Sequence, residues 1–331
     1  MWNEAEHVDS LVGDLAAQDF DGDIEVLVAD GGSTDGSVER LRAAAERHGL
    51  FVTILDNPAR WVSHGLNMCI RAARGDLIVR IDCHSAYPPD YVRRCVLAAE
   101  ETGAENVGGV FIPRGRTPME RAVGCAMDSA FGGVHWSRHR SAARIDVDTV
   151  PYGAFRPDAF RRVGLFDESL VRNQDDEFNL RLRLAGGRVV RDPAIRTYYT
   201  PRGSLRGVFR QYYEYGFWKV AVMRKHGRIV SARSLAPLAS VVSLIALAVL
   251  AVWFATGRLV LALVIGAYAA GALAFGIAAL RREQERYRLL PLVVLVFPTF
   301  HIAFGLGMLA GWGQAALERF LPSAVRRRII R

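Results

Sequence analysis

Residues Leu77–Pro88 read LIVRIDCHSAYP, and this stretch decides the fold. Leu77-Ile78-Val79 has the apolar, β-branched character of a buried strand, and the apolar run stops at Asp82-Cys83-His84. In open α/β sheets ligands bind beyond the carboxyl ends of strands. An acid and an imidazole there, at the mouth of what reads as a parallel strand, are placed to hold a metal-bound anion.

Working outward, the same logic recurs upstream. Asp23–Ala29 (DIEVLVA) reads as a strand ending in Asp30-Gly31-Gly32-Ser33-Thr34-Asp35-Gly36-Ser37. Its glycines let the backbone turn tightly beside a ligand, and its hydroxyls and acids can cap a helix starting near Ser37. A glycine-rich strand-to-helix loop with a good cap accounts for it equally well. Phe51–Leu55 reads as a second strand. Arg60 follows it, either facing a diphosphate or simply solvated. Helices are expected over Glu4–Ala17, Ser63–Ala73, Pro88–Thr102, Pro118–Phe131 and Pro157–Val163, with a short strand at Asn106–Ile112. Gly132–Asp148 has no period. A second acidic cluster, Gln174-Asp175-Asp176-Glu177, opens a helix expected over Phe178–Ala185. Acids complement a helix N-terminus, but three in a row exceed that need. Crowded carboxylates raise one another's pKa, which suits a general base.

The chain of 331 residues carries a net charge of +8 and is 51% hydrophobic, unevenly spread. No nucleic-acid motif accompanies the basic excess, so arginines that set membrane topology and meet anionic lipid explain it better. Cys69, Cys83, Cys95 and Cys125 have no zinc-site spacing and fit a reducing compartment. No signal peptide opens the sequence, which points to a cytoplasmic catalytic part. Ser204–Gly227 is basic and aromatic, suited to a membrane interface or to packing beneath the soluble domain. Leu235–Ala255 and Leu259–Leu280 are each long enough to span a bilayer. Only Thr256-Gly257-Arg258 parts them, so a tight hairpin is expected. A third run, Leu289–Leu317, contains Pro298; it is either a re-entrant hairpin or a span that breaks the positive-inside pattern of Arg326, Arg327, Arg328 and Arg331.

With both acidic sites placed, the chain resembles the family 2 glycosyltransferases of GT-A fold, most of all the membrane-anchored exopolysaccharide, succinoglycan glucosyltransferase type. Asn3-Glu4 matches the family's short Asn-Glu segment. Asp30, Ser33, Asp35 and Ser37 match its D-x-x-S-x-D-x-S nucleotide loop. Asp82-Cys83-His84 stands at its D-x-D, and Gln174 to Arg181 at its E-D-x-D-L-x-x-R. The resemblance implies an α/β, Rossmann-like GT-A catalytic domain (residues 1–203), amphipathic interfacial helices (204–233), a transmembrane region (234–318) and a basic tail (319–331). It implies nucleotide-sugar binding by Asp30, Ser33, Asp35, Arg60 and Asp82, and Mn²⁺ or Mg²⁺ held by Asp82 and His84. Asp175 becomes the catalytic base, with Asp176 the alternative, and Gln174, Glu177, Arg181 and Gln211 face the acceptor. The donor would be a nucleotide sugar, a UDP-sugar first. The acceptor would be a polyprenyl-linked glycan at the cytoplasmic face of the inner membrane, with no nucleic acid involved. Two other readings are a polyprenyl-phosphate sugar synthase and a weakly catalytic, membrane-bound nucleotide-binding partner. A processive synthase fits less well, since Gln211 opens Gln-Tyr-Tyr-Glu-Tyr where Q-x-x-R-W belongs.

Two departures stand out. The family's opening strand is absent, which would leave two strand edges exposed and suggests a start further upstream. His84 replaces the second aspartate, and imidazole suits Mn²⁺ better than Mg²⁺.

Overall fold

The computed structural model describes residues 1–132, 143–230 and 232–320. Two compact units emerge: Met1–Ile112 with Arg138–Tyr199, and Pro113–Ser137 with Thr200–Arg331.

In the first unit, β1 (Val26–Asp30) and β2 (Val52–Asp56) pair in parallel, with Val26 opposite Val52 and Asp30 opposite Asp56. Helix α1 (Ala5–Ala16) packs on α2 (Ser37–His48), burying Val8 and Val12 against Leu41 and Ala44. Helix α3 (Val62–Ala72) follows β2. The second sheet runs β3 (Ile78–Val79), β7 (Ala154–Phe155), β5 (Asn106–Pro113), β8 (Val189–Tyr199), β4 (Ser85–Ala86), with β6 (Ile145–Asp146) also on β8. β3 is antiparallel to β7, so the deciding stretch does not lie on a parallel strand, whereas β1 and β2 do pair in parallel. β1 pairs with β2, and β3 pairs with β7 at one end of the second sheet. Met1 lies along β1, its amine donating to the Ala29 carbonyl at 2.7 Å and its carbonyl accepting the Gly31 amide at 2.8 Å.

Helix α4 (Tyr91–Thr102) covers the second sheet, packing Cys95, Ala98 and Ala99 with Val107, Val190 and Ile195. β5 and β8 approach so closely that a Cβ at Gly109 would collide with the Ile195 carbonyl. On the same unit, Phe155, Phe160, Phe166 and Phe178 form one cluster, with Phe178 fully buried. Phe160 lies on α6 (Pro157–Val163) and Phe178 on α7 (Gln174–Leu184). Burial of Phe178 and Leu182 fixes the roll of α7. Helix α7 begins at Gln174, so the acids sit inside its first turn rather than ahead of it.

In the second unit, α5 (Pro118–Met127) starts with a reciprocal cap between Thr117 and Glu120. Its Ala122, Val123, Cys125 and Ala126 pack against Val293, Val296, Phe297 and Phe300. Pro113–Ser137 thus groups with the second unit, although it lies within the span 1–203 expected as the catalytic domain. Helix α8 (Leu205–His226) is capped by Ser204, whose hydroxyl accepts from the Gly207 amide at 3.1 Å. It packs along α11 (Leu290–Phe320), where Gly216 meets the Phe304 carbonyl and Gly307 meets the Tyr213 carbonyl; side chains at either glycine would hold the backbones apart. α8 is therefore a packed helix of this unit. α9 (Leu235–Trp253) and α10 (Ala255–Arg282) are parted by Phe254 alone, so Thr256–Arg258 form the first turn of α10 rather than the connection. α11 is one continuous helix through Pro298, not a re-entrant hairpin. Three stretches, Ala232–Trp253, Ala255–Arg282 and Tyr287–Glu318, are long and apolar enough to cross a membrane. The centre of the aperiodic Gly132–Asp148 stretch and the basic tail from Leu321 lie outside the described residues.

Candidate active site

The deciding stretch leaves β3 at Val79 and turns at once. The Arg80 amide continues the pairing by donating to the Gly153 carbonyl at 3.1 Å. The Asp82 amide donates to the buried Tyr87 hydroxyl at 2.7 Å, and that hydroxyl donates to the Asp82 carbonyl at 3.2 Å. Asp82 Oδ1 accepts the His84 amide at 3.1 Å, an Asx turn that fixes the bend. Burial alone would raise the Asp82 carboxyl. Hydrogen bonds from His84 and the Arg80 charge outweigh that and hold it at about 2. Asp82 is therefore an anion at any physiological pH. Burial pushes the Cys83 thiol up to about 12, so the middle residue of the motif is an inert neutral thiol.

Arg80 points to the second acidic cluster. Its Nη1 lies 2.5 Å from both carboxylate oxygens of Asp175, in the first turn of α7. The side chains are 10% and 29% exposed, so solvent screens the pair only partly. The guanidinium also sits 5.4 Å from the centre of the Tyr152 ring, whose hydroxyl is 2.9 Å from Ser85 Oγ. Burial raises the Asp175 pKa more than the Arg80 charge lowers it, leaving a carboxylate more basic than usual. Backbone strain gathers nearby: Tyr152 has φ +53° and Asn173, ahead of α7, has φ +60°. Non-glycine residues held in the left-handed region concentrate at functional sites.

The loop after β1 is laced to the chain's first residues. Asp30 accepts from the amides of Gly32 and Ser33, both at 2.9 Å, and from the Ser33 hydroxyl at 2.6 Å. Ser33 Oγ accepts the Asn3 amide at 2.9 Å, Ser37 Oγ the Glu4 amide at 2.7 Å, and Asp35 Oδ2 the Ala5 amide at 3.0 Å. Arg60, with φ +62°, lies over the Trp2 ring at 5.7 Å, and its Nη2 would be 3.7 Å from a Cβ on Gly32. An arginine and an indole thus edge one patch, chemistry suited to a base and a diphosphate.

Comparison with known proteins bears on the family and the fold. Residues 1–150 match the family described as glycosyl transferase family 2. The succinoglycan biosynthesis protein ExoA of Rhizobium meliloti (strain 1021) is 32% identical over 309 residues, covering 92% of this chain and 91% of that protein. The chain belongs to glycosyl transferase family 2. A Methanococcus voltae dolichyl N-acetyl-alpha-D-glucosaminyl phosphate 3-beta-D-2,3-diacetamido-2,3-dideoxy-beta-D-glucuronosyltransferase is 24% identical, covering 68% of this chain and 72% of that enzyme. Among solved structures, the mannosyltransferase PcManGT from Pyrobaculum calidifontis, in complex with GDP-Man and Mn²⁺, superposes with a TM-score of 0.64 at 21% identity, covering 93% of this chain and 85% of that one. The fold is GT-A, as expected, and the protein is a transferase.

Within this glycosyltransferase the acids of the second cluster divide their work. Asp175 faces Arg80. Glu177 is fully buried and accepts from Arg181 Nε at 2.9 and 3.0 Å. Arg181 in turn donates to the carbonyls of Val163 and, at 2.7 Å, Leu165, so the Glu177–Arg181 pair pins the loop after α6. Asp176 is half-buried and Gln174 buried. Gln211 lies on α8 of the second unit, where its amide donates to the Tyr215 hydroxyl at 3.0 Å. Asp30 ends β1, and Ser33 and Asp35 sit in the loop after it, but their side chains are largely engaged in holding that loop. Arg80 and Tyr152 did not stand out in the sequence; the signal was a lone arginine inside an apolar strand run, where charges are rare unless paired.

Residues able to hold a divalent ion are also present. The His84 Nε2 atom lies 3.1 Å from Glu4 Oε2, and its Nδ1 lies 3.4 Å from Asp82 Oδ1. His7, one turn along from Glu4, has its ring centre 4.8 Å from that of His84. Carboxylate and imidazole together make a donor set that fits a first-row divalent ion.

Proposed function

We propose that the protein is an inverting glycosyltransferase of cell-surface polysaccharide synthesis, moving a sugar from a nucleotide donor to a lipid-linked glycan. The observation that carries this reading is the Arg80–Asp175 contact: it puts a basic carboxylate beside the strand end that bears Asp82. In this reading the loop after β1, with Arg60 and Trp2, takes the nucleotide, Asp82 takes the ribose or a metal-bound water, and His84 faces the cation at the sugar diphosphate. Glu4, His7 and His84 would hold a divalent cation, which would supply positive charge at the leaving diphosphate. Asp175 accepts the proton of the acceptor hydroxyl. The hydroxyl oxygen bonds to the anomeric carbon from the face opposite the diphosphate, the carbon–oxygen bond to the diphosphate breaks, and the anomeric configuration inverts. Arg80 orients the base and keeps part of its population ionised.

The donor is a UDP-sugar and the acceptor a polyprenyl-linked glycan at the cytoplasmic face of the inner membrane. Support comes from the relation to the succinoglycan protein over nearly its whole length. A polyprenyl-phosphate acceptor fits less well, because an attacking phosphate would meet Asp175, Asp176 and Asp82. The test is a screen of labelled nucleotide sugars against membranes containing the protein, scoring sugar in the lipid extract. Transfer that depends on Asp175 and inverts the anomeric centre supports the reading; no lipid-soluble product from any UDP- or GDP-sugar removes it.

A further inference from the structure

We infer that Glu4, His7 and His84 form a protein-built site for a first-row transition-metal dication, which binds before and without the nucleotide sugar. The inference deepens the donor-side reading of His84 and rests on it for the site's role, not for its existence. Where only an aspartate pair faces a sugar diphosphate, the ligand itself supplies part of the ion's coordination. Here one ligand atom from each of Glu4, His7 and His84 lies within 4.8 Å of the others. An ion bonded at about 2.1 Å holds even opposed ligands about 4.2 Å apart, so about half an ångström of side-chain movement closes the set.

Three features favour an ion over a simple ion pair. Glu4 stands at the N-cap of α1 and His7 one turn on, so both project from one helical face. The Glu4 carboxylate is 16% exposed and faces the His84 ring. A half-buried carboxylate gains most from a full divalent charge. Finally, Asp82 lies at Nδ1 of His84 while Glu4 lies at Nε2. A carboxylate accepting the Nδ1 proton fixes the tautomer and leaves the Nε2 lone pair on the Glu4 side, the arrangement that metal-ligating histidines adopt. Asp82 therefore acts here as the orienting partner of His84. Two imidazoles and one carboxylate select Mn²⁺ or Zn²⁺ over Mg²⁺, which demands oxygen.

The test uses the full chain in detergent, stripped of metal and free of nucleotide. Mn²⁺ is titrated in and the free ion followed by electron paramagnetic resonance; Co²⁺ is followed by its visible absorption. The expected result is one Mn²⁺ per chain, retained against equal Mg²⁺, with Co²⁺ bands typical of nitrogen ligation. His7→Ala and Glu4→Gln each weaken binding by about tenfold or more. His7→Asn, which preserves bulk and polarity, behaves likewise while thermal melting stays at wild-type values. Absence of bound Mn²⁺ without nucleotide overturns the inference, as do His7 and Glu4 variants that bind like wild type. A protein that transfers sugar yet retains no ion alone loses only this inference. One that holds the ion yet transfers nothing loses only the proposed function.

Discussion

Arg80 Nη1 contacts both oxygens of Asp175 at 2.5 Å, and Arg80 stands two residues before Asp82. One side chain thus ties the expected donor motif to the expected base. The contact orients Asp175 and, through its charge, opposes the rise in pKa that burial imposes.

Replacing that carboxylate isolates its chemistry. Asp175→Asn is expected to cut transfer by about 10²–10⁴-fold while nucleotide binding, read by calorimetry, stays near wild type. Transfer at the wild-type rate by the purified variant would mean that the base lies elsewhere.

The pH profile has a defined sign. A base works ionised, so kcat rises with pH through the Asp175 pKa, which lies above the ordinary carboxylate value. Arg80→Ala removes the charge favouring the ionised form, raises that pKa further, and moves the acid limb to higher pH by about one unit or more. A limb that stays put, or moves to lower pH, contradicts the assigned coupling.

Glu177 sits two residues from Asp175 but serves structure. Glu177→Gln leaves Arg181 without its buried charge partner and is expected to cost about 3 kcal/mol of stability, seen as a lower melting temperature. The kcat of the protein that remains folded should change little, unlike that of Asp175→Asn.

Metal removal is the fourth check. Chelator should abolish transfer, and Mn²⁺ should restore it at least as well as Mg²⁺, because His84 offers nitrogen. Full activity in chelator, with donor hydrolysis ruled out, removes the ion from the reaction.

Backbone contact makes the fifth. Gly307→Leu would push α8 from α11 at the Tyr213 carbonyl. Cysteine pairs placed across that helix contact should lose their cross-linking, and the detergent-solubilised protein should melt earlier. Cross-linking as in wild type would show that the helices pack another way.

Much of the fold was legible because it is local. The apolar period of α1, the strand of β1, the turn chemistry of Gly31–Ser37 and the long apolar runs are each written in consecutive residues. β8 was not read, because Arg191-Asp192-Pro193 interrupts it like a turn. In the structure Arg191 and Asp192 are 1% and 3% exposed, and Asp192 is paired with Arg144, a partner 48 residues away. β3 and β7 are two residues each, too short to carry a period. The site divides the same way. Asp82 and Asp175 stood out by motif, whereas Arg80, Tyr152 and the grouping of His84 with Glu4 and His7 come from distant segments and exist only once the chain is folded.

The single residue between α9 and α10 has a bearing on how this protein can be probed. Phe254 is the whole connection, and the two helices pack together around it. If both cross a bilayer, Ser234 and Glu283 emerge on one side, and the far side shows almost nothing for a protease, an epitope or a membrane-impermeant reagent to grip. Every addressable charge of that hairpin except Arg258, the Arg281–Arg288 stretch included, then belongs to the face where α9 begins.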